Sequence, residues 1–163
     1  MINKNLLPYI TSGALIIATN TVSYFEGRRY TPYLDVAGVL TVCEGITKDI
    51  KNKVYTDKEC DVLLRQELDK SFAIVYKYVS VPLTETQKAA LASFVYNVGE
   101  SNFRRSTLLR KLNNKDYLGA CKELDRWVFA GGRKWLGLIN RRNTEKWLCM
   151  YKEADKKKEV LND

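Results

Sequence analysis

The feature that most constrains folding is a run without charged residues, from Asn5 to Phe25, which ends directly at Glu26. So much uncharged, largely apolar sequence favours burial, either in a lipid bilayer or against the rest of the protein. About 20 helical residues at ~1.5 Å each just span a hydrocarbon core of ~30 Å, and Lys4 with the amino terminus supplies a positive flank. The run is therefore a candidate membrane segment, and an amphipathic helix packed on the protein body is the alternative.

Polar residues dilute this uncharged segment, so we expect its hold on a bilayer to be weak. No A-x-A cleavage signal follows it, which argues against an ordinary signal peptide that is removed after export. The diluting residues are Thr11, Ser12, Gly13, Thr19, Asn20, Thr21 and Ser23.

The charge balance limits the partners and the chemistry. Within 163 residues, a length typical of one domain, 27 Lys plus Arg stand against 19 Asp plus Glu, which gives a net charge of +8. This excess favours an anionic partner, either nucleic acid, anionic lipid or an acidic wall polymer. The chain has no His. Any hydrolytic chemistry must therefore use carboxylates, hydroxyls or thiols.

The first half of the chain predicts a small sheet followed by a long helix. From Glu26 to about Tyr55 the sequence is rich in Gly, Tyr and Thr, with short β-prone runs such as Val39 to Val42, which indicates a hairpin sheet. Thr56 to Glu59 then match a capping box. The apolar spacing after it predicts an amphipathic helix of about 20 residues that Pro82 ends. The apolar residues that define this helix are Leu64, Leu68, Phe72, Val75 and Val79.

The second half of the chain predicts further helices. Thr84 to Gln87 form a second capping box, which opens a helix that ends near Gly99. Shorter helices follow. Turn signals occur at Gly131 with Gly132 and again at Gly137, after which Leu138 to Tyr151 resumes a helical pattern.

Glu26, Asp35 and Thr41 are the candidate catalytic residues. Eight residues separate Glu26 from Asp35, and five separate Asp35 from Thr41. In this motif the sequence resembles the phage-type lysozymes, the endolysins related to the T4 enzyme, whose pattern has the same spacing. Four further residues fall where that family's pattern has the same amino acids: Gly27, Tyr33, Gly38 and Gly45.

The resemblance implies the roles of the three residues. Cleavage of a glycosidic bond needs an acid that protonates the leaving oxygen and a second carboxylate that activates water or stabilises the positive sugar. Glu26 is the expected acid and Asp35 the expected ionised carboxylate, while the Thr41 hydroxyl helps to hold the attacking water. The implied reaction proceeds with inversion, for which the two carboxyl groups should lie roughly 6.5 to 9.5 Å apart.

The similarity runs from Glu26 to about Tyr151 and implies both a fold and an activity. The expected fold is α+β and lysozyme-like: mainly helical, with a small hairpin-sheet lobe and a helical lobe joined by a long helix, and a cleft between the lobes. The implied activity is that of an endolysin, a muramidase that hydrolyses the β-1,4 bond between N-acetylmuramic acid and N-acetylglucosamine in peptidoglycan and lyses the bacterial host.

Within the helical lobe, Asn97, Ser106 and Thr107 match family positions near the glycan cleft, so the resemblance implies substrate contact for them. Structural roles such as helix capping are the alternative. The sequence also departs from the family, because Cys43 and Ile46 stand where many relatives have Gly and His. The catalytic positions are unaffected by this departure.

The uncharged segment and the cysteines resemble a subgroup of the family, the signal-anchor-release endolysins of lambdoid phages such as phage 21. This resemblance implies an anchor segment at residues 1–25 and a catalytic domain at residues 26–163. The protein should then reside at the periplasmic face of the host inner membrane and later be released into the periplasm. We expect peptidoglycan and the inner membrane as partners, a monomer, and neither nucleic acid nor a cofactor.

The four cysteines have wide spacings and no C-x-x-C pair, which argues against a zinc site, and we expect no metal. Buried free thiols would fit a cytoplasmic protein, whereas disulfides fit export into an oxidising compartment. With export, we expect Cys43 to pair with Cys60 and Cys121 with Cys149. Two other pairings of the four are possible.

Two other functions remain as alternatives. A lytic transglycosylase would use one Glu and form an anhydro sugar, and the mass of the products distinguishes it from a hydrolase by the water gained. A membrane-anchored basic protein that binds nucleic acid would also explain the net charge of +8. That second function leaves the motif of Glu26, Asp35 and Thr41 without an explanation.

Overall fold

Helix α1 (Ala14–Glu26) opens the part of the chain that the structure, a computed structural model, describes, namely residues 13–35 and 37–152. The first twelve residues of the expected anchor segment and residues 153–163 of the expected catalytic domain lie outside it. One face of α1 is buried, and the helix contacts the long helices of the body. Within the described ranges, no helix is long and apolar enough to cross a membrane. The buried residues of α1 are Ala14, Ile17, Ala18, Thr21 and Val22.

The start of α1 depends on a residue far along the chain. Gly13 precedes the helix with a positive φ of 86°, and it supplies no side-chain cap. The Oε2 atom of Glu85 instead accepts a hydrogen bond from the Ala14 amide at 2.9 Å. A carboxylate at this point satisfies one of the free amides of the first turn and lies at the positive end of the helix dipole.

A two-stranded antiparallel sheet follows α1, formed by β1 (Arg29–Leu34) and β2 (Leu40–Cys43). Tyr33 pairs with Thr41 and Leu34 with Leu40, and the register shifts between Arg29 and Tyr33. This is the hairpin that the Gly-rich stretch predicts.

Helix α2 (Asp57–Tyr78) joins the two lobes. Its capping box of Thr56 and Glu59 forms as predicted. Its first turn contributes Cys60 to the small core beneath the sheet, and later turns contribute Leu64 and Val75 to the large core. The helix ends before Pro82 because Asn113 satisfies the backbone there: its Nδ2 donates to the Tyr78 carbonyl at 2.9 Å, and its Oδ1 accepts from the Ser80 amide at 2.9 Å.

Helix α3 (Glu85–Val98) lies at the centre of the helical lobe. It opens on the predicted capping box of Thr84 and Gln87 and ends at Gly99, whose φ is 81°. Its buried Phe94 packs edge-to-face on Phe103 and Trp127. Four short helical segments follow: α4 (Glu100–Arg104), α5 (Thr107–Asn113), α6 (Tyr117–Lys122) and a 3₁₀ turn (Glu123–Arg126).

The chain then forms a second hairpin, β3 (Phe129–Ala130) with β4 (Arg133–Lys134), before helix α7 (Leu136–Met150). The turn at Gly131 and Gly132 is as predicted, but the turn expected at Gly137 is wrong, because α7 has already begun there. The Trp135 amide bonds the Val128 carbonyl at 3.0 Å, which closes the hairpin immediately before the helix.

Two disulfides tie these elements together. Cys43 at the end of β2 bonds Cys60 in the first turn of α2, and Cys121 of α6 bonds Cys149 of α7. These are the pairs expected for a protein exported to an oxidising compartment. With the small sheet lobe, the long connecting helix and the helical lobe, the molecule has the α+β architecture that the resemblance implies.

Replacing Glu85 with Ala removes the acceptor of the Ala14 amide and should destabilise the protein by about 0.5 to 2 kcal/mol at neutral pH, the usual cost of losing a helix cap. Hydrogen bonds from Lys88 and from the Ala14 amide hold the pKa of Glu85 below its ordinary value. This contribution is therefore present above the pKa of the unfolded chain and is lost as the pH falls through the folded-state pKa.

Urea unfolding at several pH values measures this effect. A control is Glu67→Gln, which removes a carboxylate from an ion pair with Lys70 on α2 and leaves the start of α1 unchanged. Equal stability of wild type and Glu85→Ala at neutral pH would show that the bond to Ala14 contributes nothing.

Candidate active site

Glu26 is the last residue of α1, so the packing of that helix determines where its carboxylate lies. The side chain is partly accessible, at 26% exposure. Its Oε1 atom accepts a hydrogen bond from Nη1 of Arg141 on α7. The other oxygen, Oε2, lies close to Gly45, which follows β2. A Cβ atom added at Gly45 would lie 3.8 Å from this oxygen.

Arg141 is itself held rigidly. It is buried, its Nε donates to Oε1 of Glu145 at 3.1 Å, and its Nη2 donates to the Ser93 carbonyl at 3.2 Å. Ser93 lies on α3, so α3 and α7 together orient the guanidinium that binds Glu26. A buried guanidinium with several acceptors keeps one orientation, and the carboxylate that it binds is fixed with it.

Asp35 lies in the turn between β1 and β2. Its Oδ1 atom accepts hydrogen bonds from the amides of Ala37 and Val39, each at 2.8 Å. The Gly38 amide donates to the Asp35 carbonyl at 2.9 Å, in a turn that needs the positive φ of 74° at Gly38. Both side-chain bonds use Oδ1, so these amides leave Oδ2 unengaged.

Thr41 lies on β2, and it is buried. Its Oγ1 donates to the Val39 carbonyl at 2.9 Å, and the same carbonyl accepts the Asp35 amide at 3.0 Å. The backbone of Val39 therefore binds both residues. The hydroxyl proton of Thr41 is donated to this carbonyl. The lone pairs of the hydroxyl oxygen therefore remain available to accept a hydrogen bond from water.

A buried ionic cluster, which the sequence did not reveal, lies beside this site. Glu44 follows β2 and is fully buried. Its Oε1 atom forms an ion pair with Arg28 Nη2 at 2.7 Å. Burial lowers the pKa of Arg28, but hydrogen bonds to Asp61, Glu44 and Asp57 raise it more, so Arg28 is cationic. On α7, the adjacent Arg141 and Arg142 within an otherwise amphipathic helix are the sequence signal that could have indicated buried charge near the site.

Tyr96 on α3 is a further polar residue near the site. Its hydroxyl donates to the Glu44 carbonyl at 2.8 Å. Burial raises the pKa of Tyr96, and the carboxylates of Glu26 and Glu44 raise it further. The phenol is therefore protonated across the physiological range and remains a hydrogen-bond donor.

Two of the three predicted substrate-binding residues have structural partners. Asn97 accepts a hydrogen bond from Arg142 Nη2 at 2.7 Å, and Ser106 caps α5 by accepting the Leu109 amide at 3.0 Å. Thr107 is the first residue of α5. Among the described residues no hydrogen bond joins these three to Glu26, Asp35 or Thr41, so their contact with substrate stays a prediction.

One group of potential metal ligands lies in the part of the chain that the structure describes, formed by Cys43, Glu44 and Cys60. The two cysteines are joined in a disulfide, which leaves no thiolate to bind a metal. Arg28 already neutralises the carboxylate of Glu44. This group therefore links β2 to α2 through a disulfide and through the ion pairs of Arg28.

Comparison with known proteins places the chain in a family. Residues 23–145 match the family model described as phage lysozyme. The chain is 46% identical over 158 residues to a SAR-endolysin of Bacteriophage PS119, with 92% of this chain and 95% of the relative covered. It is 43% identical over 158 residues to the SAR-endolysin of Enterobacteria phage P21, with 92% and 96% covered.

Solved structures agree with the sequence relatives. The muramidase domain of SpmX from Asticaccaulis excentricus superimposes with a TM-score of 0.77 at 29% identity, covering 83% of this chain and 95% of that domain. The resemblance drawn from the motif of Glu26, Asp35 and Thr41, and the fold expected from it, are confirmed. The chain belongs to the phage lysozyme family.

Proposed function

We propose that the chain hydrolyses the β-1,4 bond between N-acetylmuramic acid and N-acetylglucosamine in a single displacement by water, with Glu26 as acid, Asp35 as base and Thr41 as a water-positioning residue. The protein is an endolysin of the muramidase type, a glycoside hydrolase of peptidoglycan, as its family and its relatives indicate.

The observation that carries the proposal is the hairpin turn in which the Val39 backbone binds both Asp35 and Thr41. A water between them would donate one hydrogen bond to Asp35 Oδ2 and the other to Thr41 Oγ1, because both atoms are free acceptors with respect to this turn. The water is thereby oriented for attack, and the Asp35 carboxylate takes up its proton as the new carbon–oxygen bond forms.

Glu26 supplies the second half of the reaction. Arg141 engages Oε1, which leaves Oε2, on the side of Gly45, for the leaving oxygen of the glycoside. Protonated there, Oε2 donates its proton as the bond to the anomeric carbon breaks, and Glu26 ends as the carboxylate that Arg141 stabilises. We infer a monomer that uses neither nucleic acid nor a cofactor, because all three residues belong to one chain and the chemistry needs only carboxylates, a hydroxyl and water.

The change Glu26→Gln removes the acidic proton and preserves the shape of the side chain. We expect the rate at which permeabilised cells lose turbidity to fall by about 10²- to 10⁴-fold, the usual contribution of a positioned acid. The variant Glu123→Gln, whose carboxylate pairs with Lys111 and Arg126 in the helical lobe, serves as control. Full activity of Glu26→Gln would defeat the assignment of the acid.

The products test the single-displacement route. Inversion at a β-linked sugar releases the α-anomer first, which NMR recorded early in the digestion detects, and mass spectrometry should show the mass of one water added per bond cleaved. A β-anomer would indicate a covalent glycosyl-enzyme, for which the carboxyl groups of Glu26 and Asp35 would need to lie about 5 Å apart. Anhydro products would indicate a transglycosylase.

The position of Glu26 at the end of the anchor segment suggests how the membrane controls activity. Residues 1–25 serve as a weak anchor in the host inner membrane, and their release into the periplasm precedes activity. Two observations support this: the relatives carry the name SAR-endolysin, and α1 ends on Glu26 with no linker. A helix embedded up to Phe25 would pin Glu26 at the bilayer surface. The same helix packed on the body places Glu26 beside Arg141.

The double change of Gly13→Leu with Thr19→Leu should lock the protein in the membrane fraction in an inactive form. Leu adds apolar area to the anchor at both positions, and at Gly13 it also opposes the positive φ of the packed form. The conservative change Ile16→Leu, at an exposed apolar position of α1, is the control. Cell fractionation and the time of lysis measure the effect. A variant that pellets with membranes but lyses cells at the normal time would show that the anchor does not restrain activity.

A further inference from the structure

Glu44 is a buried carboxylate to which the proposed reaction gives no role. It immediately follows β2, the strand that carries Thr41, and its side chain is fully buried. Burying a carboxylate costs free energy unless hydrogen bonds and an opposite charge compensate for it. The partners of Glu44 therefore indicate what its burial achieves.

These partners flank Glu26 in the sequence. The Oε1 atom of Glu44 accepts Arg28 Nε at 2.7 Å and Ser23 Oγ at 3.3 Å. Ser23 lies in the last turn of α1, ahead of Glu26, and Arg28 follows Glu26 by two residues. One buried oxygen thus holds the chain on both sides of the proposed acid.

Glu44 is fixed in turn by the rest of the site. Its carbonyl accepts the Tyr96 hydroxyl of α3 at 2.8 Å, and the preceding Cys43 is bonded to Cys60 of α2. Arg28 also reaches the start of α2, with Nη1 at 2.8 Å from Asp57 Oδ1 and Nη2 at 2.6 Å from Asp61 Oδ1. The end of α1, the end of β2 and the start of α2 therefore meet at this ion pair.

We propose that Glu44 is a positioning residue, which through Ser23 and Arg28 sets the location of Glu26 relative to the hairpin that carries Asp35 and Thr41. This inference rests on the proposed role of Glu26 as the acid. Because Glu44 is fully buried, its effect is on the geometry of proton donation and not on substrate contact. Displacement of a reacting group by about 1 Å can cost on the order of 10²-fold in rate.

A merely stabilising role predicts a different outcome from a positioning role. A buried ion pair replaced by apolar side chains of similar size is often as stable as the original, whereas removal of one partner leaves the other charge unpaired. A double replacement of Arg28 and Glu44 therefore separates stability from positioning. In this double variant Asp57 and Asp61 lose Arg28 but remain solvated, since their side chains are 72% and 62% exposed.

The experiment measures kcat and KM on soluble, uncross-linked peptidoglycan strands for Glu44→Gln and for the double variant Arg28→Met with Glu44→Leu, in the full-length protein after its release. Rates are divided by the folded fraction from circular dichroism at the assay temperature. We expect kcat per folded molecule to fall at least tenfold in both, with KM changed by less than twofold. Glu123→Gln, which removes a carboxylate from ion pairs in the helical lobe, should keep the wild-type kcat.

A folded variant without the Glu44 carboxylate that retains kcat within twofold of wild type would overturn the proposal. If neither variant folds, Ser23→Ala decides the question, because it breaks only the link from Glu44 to α1. That variant should then lose several-fold in kcat, and a wild-type kcat would overturn the proposal. Glu26→Gln is assayed in parallel. Activity of Glu26→Gln would contradict the proposed function itself. Inactive Glu26→Gln together with fully active Glu44 variants would contradict only the positioning role of Glu44.

Discussion

The burial of one face of α1 on the body is the interaction on which the rest of the structure depends. Ile17 and Val22 are fully buried in the large core, and each such side chain contributes about 1.5 to 3 kcal/mol relative to an exposed one. The same packing brings Glu26, at the end of the helix, to Arg141 on α7. Stability of the folded lobe and assembly of the candidate site are therefore consequences of one packing event.

Buried ion pairs fix the position of α1 on the body more closely than apolar packing alone. Arg141, Arg142 and Glu145 on α7 form one ionic group, in which burial lowers the pKa of Arg142 to about 10. Arg28 and Glu44 form another beside β2. Apolar contacts alone tolerate small shifts of α1, but hydrogen-bonded ions need particular distances and angles. Arg141 binds Glu26 directly from α7, and Glu44 binds Ser23 and Arg28, which flank Glu26 in the sequence.

The sequence predicts local structure well where neighbouring residues determine it. The capping boxes at Thr56 and Thr84 form as expected, and so does the hairpin that carries Asp35. The prediction that Pro82 ends α2 was inexact because distant Asn113 supplies the backbone partners that end the helix at Tyr78. Arg141 and Glu44 escaped prediction for the same reason, since each acquires its role from residues that only the folded chain brings near it. The motif of Glu26, Asp35 and Thr41 was found because its spacing is local.

Docking of α1 on the body is the proposed condition for activity, and a distance between α1 and α2 measures docking directly. Ile16 and Val62 are exposed and line one surface cavity between the two helices, so spin labels at I16C and V62C report the packed state without entering the core. Electron paramagnetic resonance should give a single short distance in the released protein and none in the membrane-bound protein, with activity proportional to the population at the short distance. Equal activity in a membrane-bound fraction that lacks the short distance would contradict the account.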